Sequence, residues 1–258
     1  MRADERFLKT LRGEETDRMP VIENSLWWDQ TISRWAGEGL PAGKNYAYAM
    51  RDVVAIQEHF GLDLLAHWWA RPYTERTPFA KVAGAGMGAV DEESYEKILL
   101  PTLYPEPRMD DDFIRMVKKY KSEGKLILEL ILDGAFWEPR EYMGIEAHLY
   151  SFYDQPDLYK RMLSDMKAWQ KKAVEYAMNA LPFDYVTFAE DMSYNNGPML
   201  SREHFDAFMA PFYREMVPVL NGYGLPVLVD SDGDIFEAIA WFNRSEEHTS
   251  ELQSQYLI

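Results

Sequence analysis

Between Leu126 and Leu132 the chain reads Leu-Ile-Leu-Glu-Leu-Ile-Leu, and a strand apolar on both faces is stable only inside a parallel sheet covered by helices. Its neighbours fit that reading. Ahead of it, residues 110 to 123 have the spacing of a charged amphipathic helix closed by Gly124. Behind it, Leu158, Met162, Met166, Trp169, Ala173 and Tyr176 form a second helical stripe, opened by Pro156 after the candidate cap Asp154. The alternation extends both ways. Residues 4 to 11 and 46 to 60 read as helices, the latter stopped by Gly61, and Pro20-Val21-Ile22 and Leu62 to Leu65 read as strands. Tyr185 to Phe188 and Pro226 to Val229 read as strands separated by a helix that Ser201 caps and Asn221-Gly222 ends, and residues 235 to 241 begin another helix. Helix and strand in regular turn predict an α/β domain around a parallel sheet.

Composition narrows the partners. Acidic residues number 43 against 27 basic ones, and the net charge of -16 opposes phosphate backbones and anionic lipid, so neither nucleic acid nor a membrane is an expected partner. The chain shows no apolar run of signal or membrane-span length, and the expected compartment is the cytoplasm. With no cysteine, the 258 residues offer neither disulfides nor thiolate ligands. The histidines include no H-x-x-x-H or H-E-x-x-H pair, so no zinc site is legible and metal use is unknown.

The predicted strands end in acids: Glu23 after the first, Glu190 and Asp191 after Ala189, and Asp230, Asp232 and Asp234 after Val229. Carboxylates gathered at one end of a parallel sheet repel one another, so at least one should hold its proton near neutrality and serve as general acid or base. Any single one could equally be a helix cap or a solvated loop residue. Glu190, Asp230 and Asp232 are the catalytic candidates. Glu23, Trp27, Trp137, Arg140, Asp191 and Tyr194 are the candidates for binding a small-molecule substrate, because adjacent aromatics such as Trp27-Trp28 and Trp68-Trp69 cannot all face one core. Two loops are set aside. Asp230-Ser231-Asp232-Gly233-Asp234 has Trp241 where a calcium loop needs its bidentate Glu, and Gly84, Gly86 and Gly88 lack the helix that a phosphate-binding glycine fingerprint requires.

Three blocks carry a family resemblance. Glu5-Arg6 with Leu11-Arg12-Gly13-Glu14 and Asp17-Arg18-Met19-Pro20-Val21, Trp137-Glu138-Pro139-Arg140-Glu141-Tyr142-Met143-Gly144 with Phe152 to Leu158, and Asp191 to Ser201 with Gly197-Pro198 resemble the uroporphyrinogen decarboxylase superfamily, over about 5 to 241. The resemblance implies a (β/α)8 barrel that either decarboxylates a porphyrinogen or moves methyl groups to and from a corrinoid carrier or coenzyme M. A corrinoid protein is then an expected partner. The decarboxylases' arginine-bearing segment after the first strand is replaced by Glu23-Asn24-Ser25-Leu26-Trp27-Trp28, and their F-S-D segment has only Asp63. The methyltransferases' H-x-C-G is replaced by Asp230-Ser231-Asp232-Gly233, which removes both zinc ligands. The expected activity is methyltransferase-like, with a porphyrinogen decarboxylase, a barrel glycosidase and a non-catalytic binding protein as alternatives.

Residues 244 to 254, RSEEHTSELQS, match in register the translation of a common sequencing adapter. Residues 1–243 are accordingly expected to be a partial barrel domain lacking its last β/α units, and 244–258 a foreign tail.

Overall fold

The computed structural model describes residues 1–24, 26–40, 50–78, 87–88 and 90–244. Gly84 and Gly86 of the glycine run, and the tail from 245, lie outside them. Helices α1 (Ala3–Leu11), α2 (Asp29–Gly37) and α3 (Met50–Phe60) precede strand β1 (Leu64–Ala70). A short helix α4 (Glu92–Ser94), capped by Asp91, runs on through a π turn (Tyr95–Leu99), and α5 (Asp111–Ser122) leads into β2 (Leu126–Asp133). Then come α6 (Trp137–Met143), α7 (Ile145–Asp154), α8 (Pro156–Ala180) and β3 (Tyr185–Ala189). A two-residue hairpin, β4 (Ser193–Tyr194) with β5 (Gly197–Pro198), precedes α9 (Arg202–His204), α10 (Ala210–Gly222), β6 (Val227–Asp230) and α11 (Phe236–Arg244).

The strands form a parallel four-stranded sheet in the order β1-β2-β3-β6, so each crossover adds the next strand beside the last. In the last pair Val186 lies opposite Val227 and Ala189 opposite Asp230, which brings the acid-bearing ends of β3 and β6 into register. The Leu126 run behaves as its composition demands, with Leu126, Ile127, Leu128, Leu130 and Leu132 all at 0% exposure. Ser201 caps its helix as expected, accepting the His204 N–H, whereas Asp110, expected inside its helix, stands just ahead of α5 and caps it by accepting the N–H groups of Asp112 and Phe113. Asp154 does not cap α8, because it is the last residue of α7.

Two strand expectations change. The second predicted strand begins two residues later and runs on to Ala70, taking in Trp68 and Trp69. Residues 20 to 22, predicted as a strand, join no sheet. Pro20 has no N–H to offer a ladder. The Val21 N–H goes to the Asp63 carboxylate at 2.9 Å and its carbonyl accepts from Asp63 N–H at 2.8 Å, which leaves no bonds for a strand partner.

The chain divides into two compact units. The first comprises Met1–Trp68, Arg108–Leu130 and Ala177–Tyr185. Its polar centre is Asp63, 7% exposed, which takes Arg18 at 2.6 Å on both oxygens and Arg6 at 3.0 Å, while Arg6 also forks onto Asp17 at 2.7 and 2.9 Å. The Arg6, Asp17 and Arg18 of the opening motif are thus an ion network. Burial pushes the Asp63 carboxyl up, but the bonds from Arg18 and Val21 and both guanidinium charges outweigh it and leave it below the usual range. A second buried cation, Lys121, reaches both Asp184 oxygens at 2.7 Å and Asp4 at 3.1 Å.

The second unit comprises Trp69–Pro107, Ile131–Tyr176 and the chain from Val186 onward. One apolar cluster there joins Val90, Tyr95, Leu99 and Leu103 to Tyr142, Met143, Leu158 and Met162. Because removing one partner strands a buried charge, Asp63→Asn should lower the unfolding free energy by about 3 kcal/mol. Urea unfolding at neutral pH measures this, and a loss below about 1 kcal/mol, the range of exposed pairs, would show the network to be energetically idle.

Candidate functional site

In the second unit, the last residues of β2 and β6 and the first after β3 are acids. β2 ends at Asp133, and the turn Gly134-Ala135-Phe136 delivers the chain into α6. The first N–H groups of a helix have no partner within it and carry its positive dipole end. Glu190, the residue after β3, meets them: its carboxylate accepts from Ala135 at 3.1 Å, Phe136 at 2.8 Å and Trp137 at 3.2 Å, and from the Tyr213 hydroxyl. It is 0% exposed. Burial drives its carboxyl up to about 7 against the pull of those four donors.

This packing requires a glycine at 134. A Cβ there would lie 2.1 Å from Glu190 Oε2 and 2.7 Å from the Ala189 carbonyl, which itself accepts the Gly134 N–H at 2.7 Å. The rest of the turn is tied as firmly. Gln170 Nε2 donates to the Asp133 carbonyl at 2.7 Å, and Tyr159 donates to the Ala135 carbonyl at 2.9 Å. With its proton so committed, the Tyr159 oxygen accepts from His148 Nε2 at 2.9 Å, which assigns the proton of that ring to Nε2. Burial holds His148 down at about 3, so the ring is neutral.

The firm turn presents the Asp133 side chain. Oδ1 accepts from Trp69 Nε1 at 2.7 Å with Arg71 Nη1 4.0 Å away, whereas Oδ2 has no hydrogen-bond partner among the described residues. Arg71 lies over the Trp69 ring, its Cζ 3.1 Å from the centroid. Burial raises the Asp133 carboxyl to about 6, opposed by the Arg71 charge and the Trp69 bond.

A second group of acids stands where β3 and β6 end. The Asp230 carbonyl accepts the N–H of Glu190 at 2.9 Å and of Asp191 at 3.3 Å, and Asp191 Oδ1 accepts the Asp232 N–H at 3.3 Å. Arg140 donates to the Asp191 carbonyl at 2.8 Å, lies 3.6 Å from its Oδ2, and sits 4.3 Å from the centre of the Trp137 ring. Asp191 has a φ of +41°, an uncommon backbone for a residue with a side chain. Partial burial, then the charges of Asp191 and Asp232, raise the Asp230 carboxyl.

The structure therefore brings together Glu190, Asp191, Asp230, Asp232, Arg140 and Trp137. Tyr194 is exposed on the β4–β5 hairpin, where its carbonyl accepts the Asp234 N–H at 2.8 Å. Glu23 and Trp27 fall in the first unit, where the Glu23 carbonyl accepts from Gln57 and Trp27 packs edge-on to Trp35 at 5.8 Å. Glu190, expected as a catalytic acid, has both oxygens occupied by the α6 turn and Tyr213. Asp133 escaped the sequence analysis. Its signal was there, an acid directly after the apolar β2 run and before a glycine, the same placement that drew attention to Glu190 and Asp230.

No protein-family model and no curated protein matches the chain. A solved structure, a methyltransferase from Methanosarcina mazei, is similar in fold at 12% identity and a TM-score of 0.58, covering 95% of this chain and 74% of that one.

Gly134→Ala should cost about 1–3 kcal/mol of stability through overpacking against Glu190; a melting temperature equal to the parent's would show that the turn can give way. Asp133 should leave a pH signature of opposite sign to that of ordinary ion-paired acids. Its raised folded value means its contribution is complete below about pH 4 and is lost as pH rises through about 6. Relative to Asp133→Asn, the parent should thus lose roughly 3 kcal/mol between pH 4 and pH 7. Parallel pH-stability curves for the two would remove Asp133 as a buried titrating group.

Proposed function

We propose that the chain belongs to an enzyme of the uroporphyrinogen decarboxylase superfamily, built on a (β/α)8 barrel and nearer its methyltransferases than its decarboxylases. The observation that carries this reading is Asp133, a strand-end carboxyl with one oxygen fixed, one oxygen unpartnered and its proton held near neutrality. The fold likeness to a methyltransferase supports the class, and the acids at the ends of β2, β3 and β6 supply the chemistry.

In this reading Asp133 Oδ2 takes the proton from the heteroatom of a small acceptor as that atom gains a methyl group. Asp191, Asp230 and Asp232, with Arg140 and Trp137, receive the polar remainder of the substrate. Glu190 is a positioning residue that keeps Asp133 at the head of the α6 turn. The methyl group would come from a corrinoid carrier protein. A thiol-activating zinc does not fit the residues present, because the sequence has no cysteine and no three potential ligands converge among the described residues.

The test is methyl transfer from methylcobalamin to a panel of small thiols and amines, followed through the cobalamin spectrum. Turnover should occur with at least one acceptor, and Asp133→Asn should lower kcat by about 10²–10⁴-fold, the usual contribution of a positioned acid or base. Loss of the lower-pH limb of the rate profile should accompany it. No transfer to any acceptor, or an Asn variant as active as the parent, would reject the reading.

A further inference from the structure

His148, on α7, takes no part in the chemistry above, yet it is a neutral imidazole buried at 0% exposure, and its Nδ1 has no hydrogen-bond partner among the described residues. A phenyl ring would fill the same space without an unmet nitrogen. The ring is boxed by Phe136, Phe152 and Tyr159, at 4.5, 5.2 and 5.6 Å between centroids, and this packing aims Nε2 at the Tyr159 oxygen 2.9 Å away. From there the donors run one way. Nε2–H donates to Tyr159, Tyr159 donates to the Ala135 carbonyl at 2.9 Å, and the far end of that peptide, the Phe136 N–H, donates to Glu190 Oε2 at 2.8 Å. The bonds from Ala135 and Trp137 on either side are longer, 3.1 and 3.2 Å. An amide whose carbonyl accepts a hydrogen bond is a stronger donor at its N–H, so bonds in series polarise one another.

We propose that His148 and Tyr159 are positioning residues that act through the Ala135–Phe136 peptide, strengthening its bond to Glu190 and thereby favouring the charged form of that carboxyl. The groups facing Glu190 are the three amides of the α6 turn, the Tyr213 hydroxyl from α10 and, one peptide further, Tyr159 from α8. These are dipoles rather than formal charges, so the strength of each bond decides how far burial can raise the carboxyl. The histidine suits the first place in the series because, held neutral by burial, it donates from Nε2 without adding a charge to the aromatic box. The effect is on the turn itself and holds whether or not Asp133 acts in methyl transfer. Glu138, a buried carboxyl on α6, lies outside the series: it accepts instead from the hydroxyls of Tyr142 and, at 3.4 Å, Tyr104, a residue with a φ of +59°.

The test is the pH titration of the Glu190 carboxyl in the whole protein carrying carbon-13-labelled glutamate, followed by NMR. Its signal is assigned by its loss in Glu190→Gln or, should that variant not fold, by its displacement in Tyr213→Phe. Tyr159→Phe should raise the titration midpoint by roughly 0.3 to 0.5 of a pH unit, the size of a 10–30% loss from a charge-assisted hydrogen bond. His148→Phe, one bond further away, should raise it by less, and His148→Gln, whose amide N–H can replace Nε2, should return it to the parent value. The Glu138 signal should stay in place in all the His148 variants. The Phe136 amide proton reads the same bond without any substitution, and in the parent it should lie downfield of the Ala135 and Trp137 amide protons. A Phe136 proton upfield of both neighbours, a midpoint in Tyr159→Phe that falls or stays within about 0.1 of a pH unit of the parent's, equal displacements in His148→Gln and His148→Phe, or a Glu138 signal that moves in step with Glu190 would each overturn the proposal.

Discussion

The turn after β2 exists in its observed form because one carboxylate receives three consecutive backbone N–H groups. Glu190 stands where α6 exposes its unpaired donors, and the 2.7 Å bond from Gly134 to Ala189 brings the two strand ends close enough for the carboxylate to reach them. That approach leaves no room for a side chain at 134. Much of the rest of the site follows from it. The turn sets where Asp133 ends, Asp133 sets where Trp69 and Arg71 gather, and the continuation into α6 carries Glu138 inward toward the tyrosines and Arg140 toward Asp191.

Each unit is thus organised around a buried acid, with opposite electrostatics. Asp63 is met by two guanidinium groups whose formal charges outweigh its desolvation, so it stays ionised and lies below its usual range. Glu190 is met only by dipoles, amide N–H groups and a phenol, and burial prevails. Asp133 lies between these cases, with a single guanidinium at 4.0 Å. A group that neither keeps nor loses its proton firmly near neutral pH is the kind that acid-base chemistry requires, and the fold arrives at it by surrounding an acid with apolar strands and allowing it one distant cation.

Much of this was legible in the chain. The Leu126 run, the amphipathic stripe of α8, the cap at Ser201 and the strand ahead of Glu190 all follow from local pattern, since each needs only the spacing of apolar residues or one side chain within three positions of the backbone it bonds. Where pattern failed, a distant residue had intervened. Residues 20 to 22 have the composition of a strand, but Asp63, more than forty positions away, takes the bonds a strand would use. Tyr104 has no local signal for its φ of +59°.

The sequence by itself determined the elements and the chemistry available: alternating helices and strands, acids at strand ends, an absence of cysteine, and a glycine after Asp133. Tertiary structure alone decided which acid does what. Glu190 and Asp133 stand at the ends of neighbouring strands, and no feature of either segment says that one will be spent on a helix terminus while the other keeps an unpartnered oxygen. That outcome depends on which donors the neighbouring strand end supplies and how far water is excluded, and both are set by packing between residues more than fifty positions apart.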